Sequence, residues 1–289
     1  MEVPRTNDTP MAEPRSTRRS TDGIDLFLVD LDAWAASRLD ESELPAADRA
    51  QAERLDRRPD RARRLLARSA AVRTLLARRL GVDPAGLVVS RLCPNCGATD
   101  HGRPYVAGAP VAFSVSSSGN LAAIALSRSA VGVDVEIERS DLSPRSRAMT
   151  DREQQGIDSL PDDRRSLGFL RLWTAKEAVL KASGRSLGDD PSTFDVAELL
   201  WSETSVVADG RRRWHVRHLA IADRPEGTVV LALADDRGRP VSERSPWSFE
   251  NDRSASSLFS QRAPSDGTPS DRRGASARRP PSARRPPST

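Results

Sequence analysis

The chain has 289 residues, 30% of them charged and 37% hydrophobic, with a formal net charge of +4. Its longest apolar runs, such as "TVVLALA", are far shorter than the ~20 residues of a membrane-spanning helix, so we expect no transmembrane segment. The N-terminus lacks the apolar stretch of a secretory signal, and two cysteines are too few for a disulfide framework. These features predict a cytoplasmic protein.

The basic excess is confined to a low-complexity segment at the C-terminus. Residues 241–289 hold nine arginines and five acidic residues, whereas residues 1–22 and 23–240 are each formally neutral. The repeated "SARRPP" and the scarcity of aliphatic residues predict a disordered tail, because such a segment cannot bury enough apolar surface to offset its ordering entropy. Residues 1–22 are also interpreted as disordered. The neutral central region does not favour a nucleic-acid partner.

The central region begins with elements that predict one α/β half. "IDLFLVDLDAW" (24–34) is typical of a buried strand. Residues 60–80 repeat leucine and valine at helical spacing and end at Gly81, a typical helix C-cap. "VAFSVSSSGNLAAIALS" (111–127) then predicts two strands around a Ser-Gly-Asn turn.

A similar order of elements follows in the second half. "VGVDVEIE" (131–138) predicts a strand, "LGFLRLWTAKEAVLKASG" (167–184) a helix that ends in glycine, and residues 212–235 a hairpin. We therefore predict an α+β fold of two similar α/β halves, 23–130 and 131–240. In this arrangement a pseudo-two-fold axis relates the halves and the functional site lies at their interface.

The strand "VGVDVEIE" alternates strictly between apolar and acidic residues. Its valines and isoleucine fall on one face, and Asp134, Glu136 and Glu138 fall on the other. Neighbouring carboxylates on one face are only ~6.5–7 Å apart, so they repel unless water, a cation or a basic group compensates. Two interpretations stay open here: a solvated outer face, and a site for a divalent metal such as Mg²⁺.

The predicted helix carries both lysines of the chain, Lys176 and Lys181, among 45 basic residues. Glu177 and Lys181 form an i, i+4 pair, which an arginine would make equally well on a surface. An ammonium differs from a guanidinium as a compact point charge that contacts phosphate and whose pKa shifts on burial. The two lysines therefore favour a site with a steric or protonic requirement, although Lys176 lies within the apolar arc of the helix.

Together these segments resemble the paired signature of the 4′-phosphopantetheinyl transferases, of the larger pseudo-dimeric, surfactin-synthetase-activating type. The family pattern is G-[IV]-D-x-E followed by W-x-x-K-E-[AS]-x-x-K-x-x-G. The positions that match it are Gly132, Asp134, Glu136, Trp173, Lys176, Glu177, Lys181 and Gly184. Upstream, "HGRPYV" (101–106) and "FSVSSSG" (113–119) are similar to two further family segments. The resemblance covers about residues 24–235.

The resemblance implies transfer of the phosphopantetheine arm of coenzyme A to a serine of a carrier protein, with release of adenosine 3′,5′-bisphosphate. It implies Mg²⁺ held by Asp134, Glu136 and Glu177. Glu177 is then the candidate general base, and Lys181 would neutralise phosphate charge, with Lys176 in support. Which carrier is served (fatty-acid, polyketide or peptide, and so whether the role is secondary metabolite biosynthesis) stays open.

The resemblance also implies a set of residues that bind coenzyme A. They are Arg63, Arg68, Arg73, Arg103, Ser116, Ser117, Lys176 and Lys181. The other arginines of the first helix, Arg61 and Arg64 among them, are interpreted as a solvated face. Beyond carrier proteins we expect no nucleic-acid or membrane partner, and we expect a monomer.

One residue departs from the family pattern. Ser117 stands where the family usually has a histidine that contacts the coenzyme A phosphates. A serine hydroxyl can donate a hydrogen bond but is shorter and never cationic. The alternative function is therefore a catalytically weakened or non-catalytic relative that binds coenzyme A or a carrier protein. On the sequence alone, Ser117→His is expected to raise the affinity for coenzyme A.

The motif "CPNC" (93–96) offers a more distant alternative. Cys-x-x-Cys is a zinc or redox spacing, and His101 could add a third ligand. A second cysteine pair is missing, so a turn with two unlinked thiols is the default interpretation. A zinc- or nucleic-acid-binding module is the least favoured of the three functions.

Overall fold

The computed structural model describes residues 23–55, 57–93, 96–99, 102–138, 146–185, 190–210, 212–225 and 227–245. All of them belong to one compact unit. The strands are β1 (Ile24–Asp30), β2 (Ser90–Leu92), β3 (Arg103–Tyr105), β4 (Ala112–Ser118), β5 (Leu121–Ser127), β6 (Val131–Ile137), β7 (Thr204–Ala208), β8 (Arg213–Leu219), β9 (Val229–Asp235) and β10 (Val241–Arg244). The α-helices are α1 (Leu31–Arg38), α2 (Ala46–Glu53), α3 (Pro59–Leu80), α4 (Asp151–Asp158) and α5 (Asp162–Ser183).

The first four-stranded sheet has the order β10-β1-β5-β4. Helix α3 packs on one face of it, and the apolar side chains between them include Phe27, Leu75 and Ile124. The helix ends as predicted: Gly81 takes the left-handed conformation, with φ of 70°. The predicted hairpin is confirmed as β4 and β5, which pair antiparallel around a turn at Gly119, where φ is also positive.

The second sheet has the order β6-β9-β8-β7, and α5 packs on one face of it. Helix α5 ends at Gly184, with φ of 79°, as the sequence predicts. Every residue of β9 is buried. The predicted hairpin over 212–235 is confirmed as the antiparallel pair β8 and β9.

The two sheets stack through their other faces. A core of aliphatic side chains from both sheets lies between them, including Leu26 and Ala123 from the first and Val133 and Leu231 from the second. The order β1-β5-β4 in one sheet matches the order β6-β9-β8 in the other. In each sheet the first strand of the half (β1 or β6) pairs with the last strand of the same half (β5 or β9), which in turn pairs with the strand before it. The fold is therefore α+β, with helix, sheet, sheet and helix in succession.

Several elements differ from the sequence-based predictions. The strand predicted over 24–34 ends at Asp30, because the Asp30 carboxylate accepts from the backbone N–H groups of Asp32 and Ala33 and begins α1. Strand β10 was predicted as tail, so the ordered region extends past the boundary placed at residue 241. Its parallel pairing with β1 has no local sequence signal. The predicted disorder of residues 1–22 and of residues 246–289 lies outside the described residues.

None of the described helices is long and apolar enough to cross a membrane.

Candidate active site

The close contact of α5 with β6 decides where the two signature segments meet. Gly132 lies directly under the helix: a Cβ at this position would come within 1.9 Å of the carbonyl oxygen of Ala178 and 2.5 Å of the backbone nitrogen of Ala182. Only glycine tolerates this approach. The glycine of "GVDVE" therefore lets the lysine-bearing helix pack against the carboxylate strand.

The two segments are joined by the contact between Lys181 and Asp134. The ammonium of Lys181 lies 2.6 Å from Asp134 Oδ1 and donates to Ser116 Oγ at 3.0 Å and to the carbonyl of Val133 at 3.3 Å. Ser116 Oγ in turn donates to Asp134 Oδ1 at 2.6 Å. Asp134 is almost fully buried, so this carboxylate oxygen is held from two sides in a largely dry position.

Glu177, one residue after Lys176 on α5, faces the same cluster and is almost fully buried. Burial, together with the negative charges of Asp134 and Glu136, raises the pKa of Glu177 to about 7, although Lys181 opposes the rise. Glu177 Oε1 and Asp134 Oδ2 are both buried and lack a hydrogen-bond partner. Two such oxygens are a local excess of unpaired acceptors.

These oxygens fit a divalent cation in chemistry, although the ligand set is not closed. In the part of the chain that the structure describes, no three acidic, histidine or cysteine side chains converge on one metal position. Mg²⁺ usually takes only one or two carboxylates and completes its shell with water and substrate phosphates. Asp134 Oδ2 and Glu177 Oε1 meet that requirement, since no described residue donates to either oxygen.

A row of serine side chains connects β4 to the outer edge of β6. Ser114 Oγ accepts from the backbone N–H of Val133 at 3.0 Å, and Ser118 Oγ accepts from that of Ile137 at 3.1 Å. Ser118 Oγ also donates to Glu136 Oε2 at 2.8 Å. Ser114 and Ser118 were not among the predicted site residues, although the alternation "SVSSS" within a predicted strand indicates that three serines share one face.

The opposite face of β4 leads to an arginine-rich pocket of about 420 Å³. Its cationic lining consists of Arg58, Arg61, Arg64 and Arg68. Arg68 donates to Ser117 Oγ at 3.0 Å, and burial lowers the pKa of this arginine. Arg64 is paired with Asp32 at 2.6 Å. Arg61 is exposed, as the interpretation of a solvated face predicts, and Arg64 is partly buried, while both line this pocket.

Arg63 and Arg73 do not line this pocket. Arg63 donates to the carbonyl of Ala35 at 3.3 Å, and Arg73 donates to the carbonyl of Leu87 at 2.5 Å. Both contacts tie α3 to neighbouring segments of the first half. The predicted role of Arg63 and Arg73 in binding coenzyme A stays a prediction.

Arg103 lines a different cavity, of about 480 Å³, together with Tyr105 of β3 and with Ser183 and Gly184 at the end of α5. Burial lowers the pKa of Arg103. The cavity thus joins the "GRP" segment to the C-terminal end of the signature helix. Ser116 and Ser117 lie on opposite faces of β4, so the predicted ligands do not converge on one cavity.

Lys176 is not part of the cluster around Asp134. It is fully buried, lies 2.9 Å from Glu153 Oε2, and donates to the carbonyls of Pro191 and Phe194 at 2.8 and 2.6 Å. Its ammonium also lies 4.8 Å from the centroid of the Phe194 ring. The predicted contact of Lys176 with coenzyme A is therefore corrected: the side chain ties α5 to α4 and to the loop before β7.

The cysteine motif is described only in part. Cys93 is buried, Cys96 is exposed, and the two are not joined in a disulfide. His101, the third candidate ligand, lies outside the described residues. The zinc interpretation stays a prediction.

The segment that contains Asp134, Glu177 and Lys181 is similar to known proteins. Residues 130–234 match the family model of the 4′-phosphopantetheinyl transferase superfamily. The chain carries a domain of this superfamily. The superfamily domain contains β6, α5 and β7 to β9, and with them Asp134, Glu136, Glu177 and Lys181.

Individual relatives carry the same description. A 4′-phosphopantetheinyl transferase of Bacillus subtilis is 27% identical over 137 residues, which is 47% of this chain and 58% of that protein. The 4′-phosphopantetheinyl transferase HetI of Nostoc sp. is 34% identical over 134 residues, which is 44% of this chain and 54% of that protein. The chain thus spans a little over half the length of these relatives.

Proposed function

We propose that the protein transfers the 4′-phosphopantetheine arm of coenzyme A to a serine hydroxyl of apo carrier proteins, with Mg²⁺ and with release of adenosine 3′,5′-bisphosphate. The observation that carries the proposal is the contact of Lys181 with Asp134 across α5 and β6, with Glu177 beside it. These are the residues that the superfamily signature fixes. Phosphoryl transfer needs such a concentration of charge around the transferred group.

The chemistry assigned to the protein side chains is charge compensation and proton transfer. The serine oxygen of the carrier forms a bond to the phosphorus that bears the pantetheine arm, and the bond from this phosphorus to the adenosine 3′,5′-bisphosphate oxygen breaks with its electron pair. Glu177 is the proposed acceptor of the serine proton, directly or through one water. Lys181 is a fixed positive charge beside the pyrophosphate and the leaving group.

Asp134, Glu136 and Glu177 are the proposed ligands of Mg²⁺. The unsatisfied oxygens of Asp134 and Glu177 support this assignment. When bound, the cation would neutralise charge on the pyrophosphate and hold it in one orientation. Without a cation, the three carboxylates repel one another, and Lys181 is the positive charge that the described residues place beside Asp134 and Glu177, so a divalent ion is the natural complement of the cluster.

The arginine pocket and the Arg103 cavity are proposed to bind the remaining phosphate and the adenine end of coenzyme A. Four guanidinium groups line the first, and Arg103 lines the second. Guanidinium groups suit phosphate because they offer paired N–H donors in one plane. Arg68, Arg103, Ser116, Ser117 and Lys181 are proposed for this role on these contacts, whereas Lys176 is fully buried and is not.

Ser117 motivated the alternative of a binding-only relative. Arg68 lies within hydrogen-bonding distance of Ser117, so a permanent positive charge is available where the family's histidine would stand. The replacement of that histidine therefore does not favour the alternative function.

The matching strand orders of the two sheets support the larger, pseudo-dimeric type of the superfamily, with a pseudo-two-fold relation between the halves. The matched domain covers only the second half. The serine row joins β4 of the first half to β6 of the second, which favours a site at their interface. A monomer in the cytoplasm is the proposed working state.

The test is incubation of the full chain with coenzyme A, Mg²⁺ and several apo carrier proteins, followed by mass spectrometry of the carriers. A mass gain of one phosphopantetheine arm, absent when Mg²⁺ is chelated, supports the proposal. No gain on any carrier refutes it.

Glu177→Gln is the matched variant for the proposed general base. It should abolish transfer while the far-ultraviolet circular dichroism stays that of the wild type, because the amide keeps the size of the side chain but cannot take up the proton. Turnover at the wild-type rate would remove Glu177 from the chemistry.

A further inference from the structure

Three serines of β4, which lies outside the matched superfamily domain, make different contacts with β6. Ser114, Ser116 and Ser118 alternate along the strand and face β6, which is the edge strand of the other sheet. An edge strand has backbone groups without partners in its own sheet. Two of these groups, the N–H of Val133 and the N–H of Ile137, donate to the hydroxyls of Ser114 and Ser118.

Of these two hydroxyls, that of Ser118 also contacts a carboxylate. Ser118 Oγ donates to Glu136 Oε2 at 2.8 Å, whereas among the described residues Ser114 Oγ contacts only the N–H of Val133. A serine hydroxyl has one proton and two lone pairs. Because the N–H of Ile137 occupies a lone pair of Ser118, the hydroxyl proton is directed away from the backbone and towards Glu136.

We propose that Ser118 is a positioning residue for Glu136, which it holds in one orientation towards the cluster of Asp134, Glu177 and Lys181. This inference rests on the proposed function, because it takes Glu136 as a ligand of the divalent cation. The backbone edge of β6 orients the hydroxyl, and the hydroxyl orients the carboxylate. Ser118 also lines the arginine pocket, so its effect on Glu136 is measured without coenzyme A.

The physical reason is the flexibility of a glutamate side chain. Glu136 is only half-buried, and its hydrogen bond with Ser118 reduces the number of rotamers that the carboxylate samples, so less entropy is lost when a cation binds. Hydrogen-bond partners of metal-ligating side chains remove this freedom in advance, and their loss typically lowers metal affinity ten- to hundredfold. Ser116 does the same for Asp134, to which it donates at 2.6 Å.

The experiment measures cation affinity directly, with Mn²⁺ as the probe, because carboxylate and water ligands suit Mn²⁺ as they do Mg²⁺. Free Mn²⁺ is followed by electron paramagnetic resonance as it is titrated into the full chain without coenzyme A. Ser118→Ala should weaken Mn²⁺ binding about tenfold. Ser118→Thr, which keeps the hydroxyl, should restore the affinity to within about twofold.

Ser114→Ala is the matched control, because it removes a hydroxyl that accepts from the same edge of β6 but contacts no cluster carboxylate. Both alanine variants should lower the midpoint of urea unfolding by similar amounts, whereas only Ser118→Ala should change the Mn²⁺ affinity. Equal affinities for Ser118→Ala and the wild type overturn the inference. An equal weakening by Ser114→Ala also overturns it, since the effect would then be structural.

The binding titration separates this inference from the proposed function. A chain that binds Mn²⁺ with the expected dependence on Ser118, but modifies no carrier protein, would refute transferase activity and keep the positioning role. A wild-type chain without saturable Mn²⁺ binding would overturn the positioning role, whatever the outcome of the carrier assay.

Discussion

Replacing Lys176 by methionine should destabilise the protein severely without a direct effect on coenzyme A. Lys176 Nζ lies 2.9 Å from Glu153 Oε2, and both side chains are fully buried. Methionine fills most of the volume but leaves the Glu153 carboxylate buried without its counter-charge. The carbonyls of Pro191 and Phe194 also lose their donor. Breaking one partner of a buried pair costs ~3–5 kcal/mol, a large part of the ~5–15 kcal/mol that stabilises a domain.

Part of this loss is compensated by backbone donors. Glu153 Oε2 still accepts from the N–H of Thr150 at 2.8 Å and Oε1 from that of Val196 at 2.7 Å, so we expect ~3 kcal/mol rather than the upper value. The double variant Lys176→Met/Glu153→Gln removes the buried charge as well. It should recover ~1–3 kcal/mol of the loss.

The free energy of unfolding is measured by urea titration with circular dichroism at pH 7.5. Asp162→Asn, which breaks the exposed pair of Asp162 and Arg165, is the control and should change stability by less than ~0.5 kcal/mol. A loss below ~1 kcal/mol for Lys176→Met would refute the reasoning, since it would mean that the pair is hydrated. Weaker coenzyme A binding at unchanged stability would instead restore the sequence-based role of Lys176.

Three further predictions concern packing, titration and binding. Gly132→Ala should lower the free energy of unfolding by ~1–3 kcal/mol or more, because its methyl group would overlap the backbone of α5. Gly86→Ala is the control, because Gly86 has open space around it. Equal midpoints of urea unfolding for the two variants would contradict the close contact. Burial lowers the pKa of His218 from 6.5 to about 4, so the unfolded chain takes up a proton that the folded chain does not. Stability should therefore fall by at most ~3 kcal/mol as the pH drops from 6.5 to 4, and His218→Gln should flatten that part of the urea-unfolding profile; an unchanged profile would contradict this. Arg68→Ala should weaken coenzyme A binding about tenfold or more in calorimetry, since a charge-assisted hydrogen bond is worth ~1.5–3 kcal/mol. Ser117→His should change the affinity little, because Arg68 already supplies a positive charge there. Unchanged coenzyme A binding by Arg68→Ala would exclude the arginine pocket as the phosphate site.

The long, strongly patterned elements could be predicted from the sequence because their signals are local. Both 22-residue helices end at glycines in the left-handed conformation, and β6 follows its strict alternation. The acidic face of β6 was less predictable. A solvated face and a buried site have the same alternation of residue types in the sequence. The acidic face is buried because Gly132 allows α5 to pack closely on it. That burial depends on a contact with a helix some 40 residues later in the chain.

The role of Lys176 could not be predicted for a related reason. Its signature position suggested the active site, whereas its partner Glu153 lies on α4, a helix that the sequence analysis did not identify. A signal was available: Thr150 and Glu153 form a capping box, whose Thr-x-x-Glu spacing marks a helix start. The parallel strand β10 had no such signal, because its pairing depends on residues more than 200 positions away.

Strand β10 has a consequence for how the protein can be shortened. It shields one side of β1 through a parallel ladder and through the ion pair of Arg244 with Asp25 at 2.9 Å. A chain cut at residue 240, where composition alone places the end of the fold, would strip this cover from "IDLFLVD" and present an apolar strand with an open edge. Such an edge is a template for other chains, so the truncated protein would be prone to self-association although every residue of the candidate site is intact.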